Sequence, residues 1–83
     1  INKNIAKLKS KEFIVDGSTP IVQINDRLKL NIDTEDFTTI SGFILESTQK
    51  IPKLNQTIKF NNFSITIKKI IKNRIETIII KKH

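Results

Sequence analysis

The chain has 83 residues, no Cys, no Met and a formal net charge of +7 from 15 Lys and Arg against eight Asp and Glu. That length holds one small domain. With neither disulfides nor thiolate metal sites available, its stability must come from packed apolar side chains. No apolar run approaches the roughly 18–20 residues that cross a bilayer, and no signal peptide is visible.

The sequence starts at Ile1 rather than Met, so it reads as a piece of a longer protein. An excess of positive charge points toward nucleic acid or an anionic membrane surface. Heavy use of Ile, Lys and Asn, as an AT-rich coding sequence produces, accounts for the same charge without a partner.

Residues 1–10 read as a linker or a first edge strand, and 11–83 as the domain proper. Ser10-Lys11 is a turn candidate, with a strand from Glu12 to Asp16. The continuous apolar run Phe13, Ile14, Val15 predicts burial on both faces. Asp16-Gly17-Ser18 ends that strand with turn chemistry, Gly17 being expected to supply positive φ. A helix follows, with Ser18 or Thr19 as N-cap and Pro20 at the first helical position. Ile21, Ile24 and Leu28 form its apolar stripe. Leu30 and Ile32 are expected anchors in the loop beyond it.

A second helix is predicted from caps at Asp33, Thr34 or Asp36, with Phe37, Ile40, Ile44, Thr48 and Ile51 on one stripe. Gly42 inside it suggests that something packs closely against its backbone. Pro52 disfavours a helical Ile51, so the helix should end near Gln49–Lys50.

From Gln56 the period becomes two. Ile58 and Phe60 lead to Asn61-Asn62, a tight hairpin candidate, and then to Phe63, Ile65 and Ile67. The step to Ile70 and Ile71 breaks register as a β-bulge would. Asn73-Arg74 is a second turn candidate. The last strand, from Ile75 to about Lys81, contains Ile78-Ile79-Ile80, a run apolar on both faces that reads as core or as interface. The order β-β-α-α-β-β-β predicts an α+β fold, with two helices on one face of a mostly antiparallel sheet of four to five strands.

Candidate chemistry is thin. Asp33, Glu35 and Asp36 could offer carboxylates to a hard cation, but capping in a solvated loop explains them, and no metal site is assigned. The single His, His83, sits on an end expected to fray and is native or part of a tag. Ser41, Ser47 and Ser64 have no visible base, so no catalytic residue is assigned. Gly17 and Gly42 alone cannot form a phosphate loop or dinucleotide fingerprint, and no cofactor is expected. Phe37, Phe43, Phe60 and Phe63 are expected in the core rather than on a stacking platform. Lys68, Lys69, Lys72 and Arg74 are read as solvated hairpin edges.

The run F-I-V-D-G at 13–17, Pro20, Asn25, Leu28, D-F-T-T-I-S-G-F-I-L-E at 36–46, I-P-K at 51–53, the 58–67 hairpin and R-I-E at 74–76 resembles a known family. It is the transporter-associated domain of CorC/HlyC-type proteins, described as magnesium and cobalt efflux or haemolysin-like proteins. This chain departs from the family pattern where Gly is frequent, at Ser41, Gln49 and Asn55, and the turn geometry those glycines serve is assigned here to Asn55.

The resemblance implies a non-enzymatic regulatory or interaction module at the cytoplasmic face of the membrane. Its partners would be the CBS and membrane domains of the parent chain, with a homodimer through the C-terminal strand as a further expectation. It also implies a fold related to part of an FAD-binding architecture. An adenine-nucleotide- or FAD-binding domain, with a pocket between helices and sheet, is therefore one alternative. A basic nucleic-acid-binding module is another.

Overall fold

The computed structural model describes residues 4–83; the first three positions of the expected linker or edge strand lie outside the described residues. The elements are β1 (Ile5–Lys9), β2 (Glu12–Asp16), α1 (Ile21–Leu28), α2 (Ile40–Thr48), β3 (Thr57–Lys59), β4 (Phe63–Ile71) and β5 (Arg74–Lys82). The five strands form one antiparallel sheet in the order β1-β2-β5-β4-β3.

The core follows from strand alternation on one face and helical stripes on the other side of it. Val15 pairs with Ile5 and Ile78, and Ile78 with Ile67. Phe13 pairs with Ile80, Ile80 with Ile65, and Ile65 with Ile58. Against this face pack Ile21, Ile24 and Leu28 of α1, and Ile40 and Ile44 of α2. Each of the five is fully buried, a gain of about 1.5–3 kcal/mol per side chain. Ile32 is buried and Leu30 is packed at the core margin, as loop anchors should be.

The helices begin side by side. Ile21 N–H donates to Thr38 O at 2.9 Å and Ile40 N–H to Thr19 O at 3.0 Å, with a β-bridge between Pro20 and Thr39. Ser41 N–H reaches Gly17 O at 3.0 Å, and Gly42 N–H reaches the Thr39 hydroxyl at 3.3 Å. The free amides of the first turn of α2 are thus taken up by the preceding chain and by its cap.

This bridge shortens α2 relative to the sequence expectation. The N-cap is Thr39, not Asp33, Thr34 or Asp36, because Thr38 and Thr39 are held extended beside α1. Phe37 consequently lies before the helix rather than on its stripe. At the other end the stop is where Pro52 places it, with Gln49 as the C-cap at φ 61° and its N–H on Leu45 O. Ile51 is beyond the helix and exposed rather than on the stripe. In α1, Pro20 is the extended N-cap residue instead of the first helical one, and no side chain caps it. The Ser18 hydroxyl is bonded to Asp16 Oδ1 instead.

Both glycines act differently from expectation. Gly17 does not have positive φ. A Cβ there would lie 2.1 Å from Ile75 O, so Gly17 is required by the close approach of β5. Gly42 has room: a Cβ would meet only Thr39 Oγ1, at 3.5 Å. The left-handed positions are Lys29, Gln49, Asn55, Lys72 and Asn73. Gln49 and Asn55 are two of the positions where the family pattern favours Gly.

The hairpin at Asn61-Asn62 is tight, closed by Phe60 N–H on Phe63 O at 2.8 Å, but neither Asn is left-handed. The left-handed pair is Lys72-Asn73, one residue earlier than the predicted second turn, with Ile71 and Arg74 as its closing pair. The predicted bulge is present, with register shifts on both sides of Lys69.

The run expected to be buried on both faces, Phe13-Ile14-Val15, and the run read as core or interface, Ile78-Ile79-Ile80, are each fully covered on one face only. In β2, Phe13 and Val15 are buried and Ile14 is half-buried on the other side. In β5, Ile78 and Ile80 are core and Ile79 is half-buried on that same open side. β5 lies inside the sheet, paired with β2 and β4. It has no free edge, so pairing of two copies through this strand is closed off.

Candidate functional site

The face of the sheet opposite the helices is uncovered, apolar in its middle row on β1, β2 and β5 and polar on β4 and β3. Its middle row runs Ala6, Ile14, Ile79, Thr66, Thr57 across all five strands. The adjacent row runs Glu12, Lys81, Ser64, Lys59. Ile79, Thr66 and Thr57 of the first row and all of the second, with Lys68 and His83, line an open depression of about 470 Å³.

The polar groups are only partly engaged. Thr57 Oγ1 and Thr66 Oγ1 lie 2.9 Å apart, and one hydroxyl must donate to the other. Lys68 Nζ donates to Asn55 Oδ1 at 3.3 Å. Lys59 and Lys81 make no ion pair; among the described residues the one ion pair is Arg74–Glu76 at 3.9 Å, exposed and energetically weak.

Of the residues singled out from sequence, His83 is held rather than frayed. Its backbone N–H bonds Asn62 O at 2.9 Å, and its Nε2 lies 3.3 Å from the buried Ser64 Oγ. The fold thus brings one candidate serine to the only histidine. Among the described residues no third group orients the imidazole, which a Ser–His nucleophile requires. Ser47 donates its hydroxyl to Phe43 O at 2.9 Å, and Ser41 sits at the start of α2.

Asp33 accepts the Glu35 N–H at 2.9 Å in an exposed turn. Among the described residues no group of three or more His, Cys, Asp or Glu is placed to hold a metal ion. Phe37, Phe43, Phe60 and Phe63 form a continuous aromatic run with centroid separations of 5.7, 5.3 and 4.8 Å. The run lies on the helix side, against the core. Lys72 occupies the β4–β5 turn, as a solvated hairpin residue should.

A second surface feature lies in the α2–β3 connection. Lys50, Ile51, Lys53, Leu54, Asn55 and Gln56 line a depression of about 500 Å³, with Ile51 and Leu54 exposed. Two smaller depressions lie where α2 begins beside β5, and around Ala6 and Ile14 on the open face. None of these four lies between the helices and the inner sheet face, where the nucleotide- or flavin-binding alternative needs its pocket.

Sequence reasoning did not find the open face as a site. The signal was present in the polar alternates Ser64 and Thr66 between the core residues Phe63, Ile65 and Ile67. Lys59 and Lys81 join them only once the register is known.

The family model of the CorC/HlyC transporter associated domain matches residues 6–83. The chain belongs to this family. Among its curated relatives, the chain is 30% identical over 76 residues to a UPF0053 protein of Haemophilus influenzae, covering 92% of this chain and 18% of that one. It is 29% identical over 65 residues to the magnesium and cobalt efflux protein CorC of Buchnera aphidicola, covering 78% and 23%. It is 25% identical over 84 residues to the polyamine export protein of Salmonella typhimurium, covering 99% and 19%. The chain therefore spans about a fifth of the length of these relatives.

Solved structures agree on the fold. The CorC/HlyC transporter associated domain of Nitrosomonas europaea superposes with a TM-score of 0.89 at 17% identity, all of each chain being covered. A functionally unknown conserved protein of Haemophilus influenzae gives 0.88 at 28% identity, covering 98% of this chain and all of the other. Both are chains of this domain's length. Two helices on a five-stranded antiparallel sheet are thus the CorC/HlyC domain architecture.

Proposed function

We propose that this CorC/HlyC domain is a non-enzymatic regulatory and interaction module of a divalent-cation efflux protein. It works at the cytoplasmic face of the membrane beside the CBS and membrane domains of its parent chain. The observation that carries the reading is the family match over residues 6–83 combined with the small share, 18–23%, that this chain covers of its relatives. Among the described residues no helix is long and apolar enough to cross a membrane, so transport belongs to other parts of such a protein. The exposed Ile51 and Leu54, flanked by Lys50 and Lys53, suit contact with a neighbouring domain.

Two relatives carry the names of different cargoes, a magnesium and cobalt efflux protein and a polyamine export protein. The module is therefore assigned control of transport, not choice of cargo. Deleting residues 12–83 from the full-length parent is expected to change the rate of Mg²⁺ or Co²⁺ efflux at an unchanged membrane level of the protein. Efflux identical with and without the module would end this reading.

A further inference from the structure

We infer that the open face of the sheet binds a soluble oligophosphate anion between Lys59, Lys81 and Lys68. Lys59 and Lys81 flank Ser64 in one cross-strand row. Two strand spacings separate them, roughly 10 Å. Lys68 enters the same depression from farther along β4, beside the bulge. Among the described residues Lys59 and Lys81 have no carboxylate within ion-pair distance, although Glu12, the cross-strand neighbour of Lys81, lines the same depression and offsets one of the three charges; Lys68 has only the neutral Asn55 amide. Three like charges on one face repel one another, and a polyanion bridging them converts that repulsion into attraction.

The chemistry of the lining selects among anions. The cations are lysines, which bind phosphate as point charges; no arginine, the residue suited to forked carboxylate recognition, lines the depression. The Thr57–Thr66 pair keeps one hydroxyl hydrogen to donate. The depression, about 470 Å³, falls within the usual range for small-molecule sites. No Phe lines it, and its one ring, the His83 imidazole, lies against Ser64 at the end of the row, so recognition rests on the phosphates. A membrane surface suits it poorly, because none of the exposed large apolar side chains, Leu8, Val22, Leu45, Ile51, Leu54 and Ile71, lines it. The inference stands independently of the module's role in transport.

The test is a titration of the domain with sodium tripolyphosphate, followed by amide chemical shifts at constant ionic strength. Saturable shifts are expected at Lys59, Ser64, Thr66 and Lys81. The Lys59→Gln/Lys81→Gln variant should weaken binding about tenfold or more, while Lys72→Gln, in the β4–β5 turn, should not. The amide spectrum of the double variant checks that it remains folded. Linear shifts equal to those produced by sulfate would overturn the inference, as would binding that survives the double substitution. Preferential binding to phosphatidylglycerol vesicles or to polyglutamate, with tripolyphosphate inert, would likewise overturn it in favour of a membrane or an acidic protein segment.

Discussion

The Asn25 side chain holds both backbone groups of Ile32. Its Nδ2 donates to Ile32 O at 2.9 Å and its Oδ1 accepts from Ile32 N–H at 2.9 Å. The amide acts as a substitute peptide group, pairing as one strand pairs with another. It fixes the chain leaving α1 against the helix and seats the Ile32 side chain in the core. Asn25→Ala removes both partners from a buried residue and is expected to cost about 2–3 kcal/mol in chemical denaturation. Asn25→Asp keeps the acceptor but sets a second carboxylate oxygen against Ile32 O, and should cost at least as much as Asn25→Ala. An unchanged denaturation midpoint for the Ala variant would show that water replaces the clasp without loss.

Gly17 and Gly42 predict opposite outcomes for one substitution. At Gly17 the added Cβ would meet the backbone oxygen of Ile75 at 2.1 Å, and β5 cannot give way without losing pairing to β2 and β4. Gly17→Ala should destabilise by about 3 kcal/mol or more, a large share of what a domain this small possesses. Thermal melting of the variant measures it directly.

Gly42→Ala should do the reverse. The site has negative φ, and its nearest foreign atom lies at ordinary contact distance from the new methyl. Replacing this first-turn helical Gly should add up to about 0.5–1 kcal/mol, raising the melting temperature. A fall would mean that the methyl disturbs the Thr39 cap.

Gln49 holds a left-handed conformation at the C-cap of α2, with φ 61°. A side chain costs roughly 1 kcal/mol there relative to glycine. Gln49→Gly also loses the Nε2 bond to Glu46 O at 2.7 Å, which is exposed and of small net value. The expected balance is a gain of up to about 1 kcal/mol, read as a shift of the urea midpoint.

The helix–sheet order was legible because each signal is local. Ile21, Ile24 and Leu28 recur with helical spacing, and Phe63, Ile65 and Ile67 alternate. Pro52 stops α2, and the Lys68-Lys69 insertion marks a bulge. The misplaced boundaries share a cause. Thr39 won the cap over Asp33, Thr34 and Asp36 because the Pro20–Thr39 bridge holds the preceding residues extended. That competition is between segments some twenty positions apart, and propensity does not see it.

The sequence by itself determined the element types, the core-facing alternation and the family, because these depend on residue spacing and on the order of short motifs. Tertiary structure decided the rest. Gly17 is needed for a neighbour's approach rather than for its own turn, and β5 is the middle of the sheet rather than an edge. Lys59 and Lys81, 22 positions apart in the chain, become neighbours across Ser64 only through strand register. Register is fixed by long-range packing of the opposite face. The face that this packing leaves exposed therefore could not be assembled from sequence alone.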